Sequence, residues 1–148
     1  MIRKGSAVWN GSLKEGKGTI STESGVLSNT PYSFAKRFET ERGTNPEELI
    51  AAAHASCFSM ALSEQLGNAG ITPESLETTA AVTLEKLDSG FTVTKIHLDL
   101  TARIPGVDKA VFDKAVEDAK TGCPISKLLK AAEITLTSKL TGDRATSA

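Results

Sequence analysis

Pro46-Glu-Glu-Leu-Ile-Ala-Ala-Ala-His-Ala-Ser-Cys57-Phe-Ser-Met-Ala-Leu-Ser-Glu-Gln-Leu66 is the stretch on which the reading of this chain turns. Pro46 suits the first turn of a helix, and Thr44 with Glu47 fits the S/T-x-x-E capping box. Gly67-Asn68-Ala69-Gly70 supplies a stop, so one long helix is predicted between these signals. Its apolar residues (Leu49, Ile50, Ala51 to Ala53, Ala55, Phe58, Met60, Ala61 and Leu62) point in almost every direction. A helix of that kind belongs inside a core or a large subunit interface, not on a free surface. Leu49 to Leu66 also contains His54, Ser56, Cys57, Ser59, Ser63, Glu64 and Gln65, which is too polar a set for a membrane span.

Working outward, Ser6 to Asn10 and Thr19 to Thr22 read as strands around the Gly-rich turn Gly11 to Gly18, and Tyr32 to Phe38 as a third strand. On the other side, Thr78 to Leu84 alternates and Asp88-Ser89-Gly90 makes a turn. Phe91 to Ile104 then sends Ile96, Leu98, Leu100, Ala102 and Ile104 to one face. Asp108 is placed to cap a second helix with the apolar stripe Phe112, Ala115, Val116 and Ala119, which Thr121-Gly122 stops. Cys123 becomes the N-cap of a third helix that Pro124 opens and that runs through Ala132. Glu133 to Leu140 alternates as a last strand, and 141–148 read as a polar tail. Strands grouped rather than strictly alternating with helices give an α+β class. The length predicts one domain over 1–148, with no internal repeat.

Hydrophobic residues at 39% and charged residues at 24% suffice for a folded globule. Seventeen basic residues against eighteen acidic ones give a net charge of -1, which provides no electrostatic reason to expect nucleic acid or an anionic membrane as partner. The opening Met1-Ile2-Arg3-Lys4-Gly5 has no apolar signal-peptide core, so a cytosolic protein is expected. In that reducing compartment two cysteines, Cys57 and Cys123, point to transient redox chemistry or to metal binding rather than to a permanent disulfide.

Cys57 lies mid-way along the most apolar helix, where burial alone would make it an inert small hydrophobe. To react it needs a cation, and Arg37, beside Phe38 in a partly buried segment, is the candidate. Cys123 has the better local setting. As an N-cap it faces unpaired amides and the positive end of a helix dipole, both of which favour a thiolate. Glu47 is explained by helix capping alone, and ten helical residues set it about 15 Å from Cys57 along the axis. His54, Cys57, His97 and Cys123 could make a Cys2His2 zinc site, but their spacings match no familiar pattern. His97 is out of phase with the apolar face of its strand and is expected to be solvated. Trp9, Tyr32 and Phe91 are too scattered for an aromatic platform. Gly11 to Gly18 falls one residue short of a phosphate-binding loop and leads into a strand rather than a helix.

Three segments together resemble the OsmC/Ohr family of osmotically inducible and organic hydroperoxide resistance proteins. They are Phe34 to Glu39; Gly43-Thr-Asn-Pro-Glu47 through Cys57 to Leu62; and Ala119-Lys-Thr-Gly-Cys123-Pro-Ile-Ser126. The likeness runs from about Lys4 to Leu140, and an arginine at position 37, shortly before Thr44-Asn-Pro-Glu, resembles the OsmC branch more than the Ohr branch. The resemblance implies antiparallel sheets packed on a long buried central helix in an intertwined homodimer. It also implies cofactor-free reduction of organic hydroperoxides, and hydrogen peroxide less well. Cys57 matches the peroxidatic cysteine, Cys123 the resolving cysteine, Arg37 the arginine beside the reactive sulfur, and Glu47 its carboxylate partner, which an interface would let act across subunits. The partners so implied are a second copy of the chain, the hydroperoxide and an external dithiol reductant. A redox sensor or ligand-binding dimer using the same disulfide, and a zinc-stabilised domain, are the rival classes.

Overall fold

The computed structural model describes residues 1–142, so the expected tail beyond Gly142 lies outside the described residues. The chain divides into two compact units, Met1–Leu49 and Ile50 onward. The first unit is a three-stranded antiparallel sheet in the order β1 (Gly5–Asn10), β2 (Lys17–Thr22), β3 (Thr30–Tyr32), followed by the short helix α1 (Phe34–Phe38). The α1 turn corrects the expected strand from Tyr32 to Phe38. The Ser33 side chain accepts a hydrogen bond from the Lys36 backbone N–H at 3.2 Å, and this cap turns the chain into a helix before a strand can continue.

Strand register explains how the first unit gathers its rings. Trp9 and Tyr32 both stand opposite Gly18, one from each flanking strand. Their rings meet across it with centroids 5.3 Å apart, so the expectation that these aromatics stay scattered is corrected. A Cβ on Gly18 would come within 2.5 Å of the Tyr32 ring and 2.6 Å of the Trp9 ring, which is why glycine stands there. Gly18 is also the single buried residue among the described residues 1–49. A segment of this size that buries so little has almost no hydrophobic stabilisation of its own.

The second unit holds the core. Helix α2 (Pro46–Asn68), whose first turn belongs to the first unit, is followed by the strands β4 (Ser75–Leu87) and β5 (Gly90–Arg103). Next come α3 (Lys109–Gly122), α4 (Pro124–Leu128) and β6 (Glu133–Thr141). β4 pairs antiparallel with β5, as expected, whereas β6 joins the other edge of β5 in parallel because α3 and α4 carry the chain back across the sheet. Ile96, Leu98, Leu100 and Ala102 on β5, and Ile104 just beyond it, are buried, as the period-2 pattern predicts. Phe112, Ala115, Val116 and Ala119 form the buried stripe of α3, and Asp108 stands at its N-cap without a side-chain hydrogen bond. α4 ends at Leu128, four residues before the expected Ala132.

Helix α2 is capped one residue later than expected. Asn45, not Thr44, accepts from the Glu48 backbone N–H at 2.8 Å, and its amide also bonds the Glu48 carboxylate. The Thr44 hydroxyl donates instead to the Pro31 carbonyl at 2.7 Å. The one-step shift matters because it releases Glu47 from capping. The helix is not buried all round either. His54, Phe58, Leu62 and Leu66, spaced at four-residue intervals, form its buried stripe, and each of these apolar side chains contributes about 2 kcal/mol by leaving water. The opposite stripe, Leu49, Ala52, Ala53, Ser56, Met60 and Ser63, is exposed although four of its six members are apolar, with Met60 at 77% exposure.

Candidate active site

The fold brings both cysteines of the second unit together from positions 66 apart. Cys57 is half-buried on α2, at the border between the buried and the exposed stripes, and Cys123 is fully buried at the start of α4. Both are free thiols, and their sulfurs share a hydrogen bond at 2.9 Å. That is about 0.9 Å longer than the roughly 2.05 Å of a disulfide, so a small side-chain adjustment closes the bond.

The two thiols differ in environment. Burial pushes Cys123 up, but the hydrogen bond with Cys57, the amide and hydroxyl of Ser126 and the Ile125 amide together hold it below the ordinary thiol range. Cys57 is pushed up, first by burial and then by sharing its proton with Cys123, against a smaller opposing pull from the Ile125 amide. Pro124 places these amides in position by opening the α4 turn directly after Cys123. Within the second unit, then, the anion favours Cys123, and the pull of the Ile125 amide does not offset what opposes a Cys57 thiolate.

The first unit carries a paired cation. Arg37 on α1 is held by Glu47 on the first turn of α2. Nη2 donates to Oε1 at 2.9 Å, and Nε donates to Oε1 and Oε2 at 3.3 and 3.2 Å. This fork geometry fixes the guanidinium plane, and Glu47 is the more sheltered partner, its side chain 14% exposed against 36% for Arg37. Glu47 therefore pairs with Arg37 of its own chain. Lys36 points elsewhere, to Glu41 at 3.2 Å. Arg37 also borders an apolar hollow of about 230 Å³ lined by Trp9, Leu13, Tyr32, Phe34 and Phe38.

Three further polar residues take places that no period or spacing in the sequence sets. His54 is wholly buried, and its Nε2 lies 2.7 Å from the Ser126 hydroxyl, not beside a metal-ligand set. For Ser126 the one signal is its place three residues after the helix-opening Cys123, and it is the buried residue of α4. His97 is half-buried rather than solvated, its Nδ1 2.6 Å from the Thr135 hydroxyl across the β5–β6 pair. Among the described residues no three His, Cys, Asp or Glu side chains gather closely enough to hold a metal ion. Among them, too, no helix is long and apolar enough to cross a membrane.

Comparison with known proteins settles the kinship. The family model described as OsmC-like protein matches residues 39–139, which include both cysteines and Glu47. The chain belongs to the OsmC-like family. Peroxiredoxin OsmC of Escherichia coli is 60% identical over 134 residues, covering 90% of this chain and 93% of that one. The organic hydroperoxide resistance protein OhrB of Bacillus subtilis is 32% identical, covering 74% and 79%. A solved structure of an organic hydroperoxide resistance protein from Elizabethkingia anophelis superposes with a TM-score of 0.71 at 26% identity, covering 95% and 99%. Both OsmC and Ohr proteins are thus relatives, and the higher identity falls on the OsmC side, as the position of Arg37 anticipates.

Proposed function

We propose that this OsmC-like protein is a cysteine-based peroxidase that reduces organic hydroperoxides, and hydrogen peroxide less well, with no cofactor. The observation that carries the reading is the pair of free thiols 2.9 Å apart, in a chain whose relatives are named peroxiredoxin and organic hydroperoxide resistance protein. Cys57 is the nucleophile, because it is the sulfur with access to solvent. Its thiolate attacks one peroxide oxygen, the O–O bond breaks, and an alcohol leaves after protonation by solvent. Cys123 then displaces hydroxide from the Cys57 sulfenic acid, closing a disulfide that an external dithiol reduces. Arg37, oriented by Glu47, supplies the cation that Cys57 lacks, and the hollow beside Arg37 gives an alkyl group an apolar surface that hydrogen peroxide cannot use. Residues 1–148 act as one peroxidase domain in the cytoplasm. With a supplied dithiol, the protein is expected to consume an alkyl hydroperoxide catalytically; no consumption above the dithiol alone overturns the reading.

The working form in this proposal is a homodimer with its sites at the interface. Two surfaces call for cover: the exposed apolar stripe of α2 and a first unit that buries one residue. A second copy laid on the stripe of α2 borders Cys57, which stands at its edge, and can deliver its own Arg37–Glu47 pair there. Met60→Asp separates this from a monomer, because a residue 77% exposed in the single chain tolerates a carboxylate unless a partner buries it. Sedimentation is expected to show the wild type as a dimer at about micromolar concentration and Met60→Asp with a dissociation constant raised about a hundredfold or more. An unchanged oligomeric state in the variant removes α2 from the interface.

A further inference from the structure

His54 is an expensive residue to place in the middle of α2. It is fully buried, burial keeps it neutral by pushing its pKa down, and its Nδ1 has no hydrogen-bond partner. A satisfied apolar side chain would fill that space at less cost. The imidazole makes one polar contact, Nε2 to the Ser126 hydroxyl at 2.7 Å. Of the two neutral tautomers, the one with hydrogen on Nε2 leaves Nδ1 as an unpaired acceptor, whereas the other leaves a buried N–H unpaired, which folded proteins avoid more strongly. Nε2–H therefore donates to Ser126 Oγ. That frees the Ser126 proton for the Cys123 sulfur, and the same hydroxyl is one of the groups that hold this thiol below its ordinary range.

We propose that His54 and Ser126 form a buried donor chain that positions and charges Cys123 for disulfide closure, His54 acting through Ser126. The inference rests on the peroxidase reading for its purpose, but its physical content is confined to the second unit. In the step it serves, the Cys123 thiolate attacks the sulfur of Cys57 sulfenic acid. The S–S bond forms, the S–O bond breaks, and hydroxide leaves, neutralised by the proton that Cys123 gave to solvent when it ionised. His54 stays neutral throughout and transfers no proton. The titratable groups bearing on Cys123 are Cys57 from α2 and, through Ser126, His54; the basic residues in the last turns of α3 and α4 are Lys120 and Lys127.

The test measures alkylation of Cys123 by iodoacetamide as a function of pH, in a Cys57→Ser background so that one thiol reports. Ser126→Ala and His54→Leu are each expected to move the midpoint upward by about one unit, the scale of one hydrogen bond to an anion. His54→Gln, whose side-chain amide can donate from nearly the same place, is expected to keep most of the original midpoint. In the Cys57-containing protein, stopped-flow mixing with one equivalent of hydroperoxide is expected to show disulfide closure slowed about tenfold at neutral pH by Ser126→Ala. Since alkylation needs no peroxide turnover, a failure here is distinct from a failure of the peroxidase reading. Unchanged midpoints in the folded variants overturn the proposal, and Ser126→Ala alone decides it if His54→Leu does not fold. A shift in His54→Gln as large as in His54→Leu overturns the donor role of His54.

Discussion

Replacing Cys57 by serine is expected to abolish peroxide turnover altogether, while Cys123→Ser keeps a single rapid reaction and then dies. The difference follows from the order of the two sulfurs in the chemistry. A serine hydroxyl at position 57 is not ionised at neutral pH and is a far weaker nucleophile toward a peroxide oxygen than a thiolate, so no first step remains. With Cys123 gone, Cys57 still reaches the sulfenic acid, but the sulfur that stood 2.9 Å away can no longer capture it. A second peroxide then converts it to sulfinic acid, which a dithiol does not reverse. Hydroperoxide consumption over many turnovers, with intact-protein mass spectrometry of the spent enzyme, reads both outcomes. Two added oxygens on Cys57 are expected in Cys123→Ser and none in the wild type. Equal turnover by wild type and Cys57→Ser would sink the mechanism. The reverse pattern, with the sulfinic acid on Cys123, would exchange the roles of the two thiols.

The second large effect concerns Arg37. Burial and the shared proton with Cys123 both oppose a Cys57 thiolate, so the assigned nucleophile depends on a cation from outside its own helix. Arg37→Ala should raise the Cys57 pKa further, and each unit, about 1.4 kcal/mol, removes about nine-tenths of the thiolate at neutral pH. Hydroperoxide consumption at pH 7 is expected to fall tenfold or more and to recover as pH rises, because high pH ionises the thiol without help. Glu47→Ala should give a smaller loss of the same kind, since the guanidinium keeps its charge but loses its fork partner. A loss that is the same at every pH would mean that Arg37 acts in binding or folding and not on the thiolate. Differently tagged subunits tell where the arginine comes from. A mixed dimer of Arg37→Ala and Cys57→Ser chains retains one complete site if Arg37 serves the partner's cysteine, and none if it serves its own. Activity near half of wild type supports the first arrangement; activity near zero supports the second.

Much of this was legible in the sequence because it rests on local rules. The buried face of β5, the apolar stripe of α3 and the span of α2 follow from side-chain periods of 2 and 3.6 that neighbouring residues enforce on one another. Cys123 could be placed at a helix start because Pro124 tolerates few other positions. Kinship with the OsmC-like family was legible too, in the Thr44-Asn-Pro-Glu and Cys123-Pro segments. Tertiary structure decided the rest, because it depends on which remote groups meet. Whether Thr44 or Asn45 capped α2 depended on the Pro31 carbonyl, which took the Thr44 hydroxyl and so left Glu47 free for Arg37. Trp9 and Tyr32 became neighbours through a register in which both face Gly18. His54 became a partner of Ser126 across 72 positions, and no period or spacing encodes such a contact. Sequence determined which faces had to be buried, since that is a property of one segment. The contacts that tune the thiols were left to the fold, since hydrogen bonds between remote side chains form only where packed elements bring them within about 3 Å.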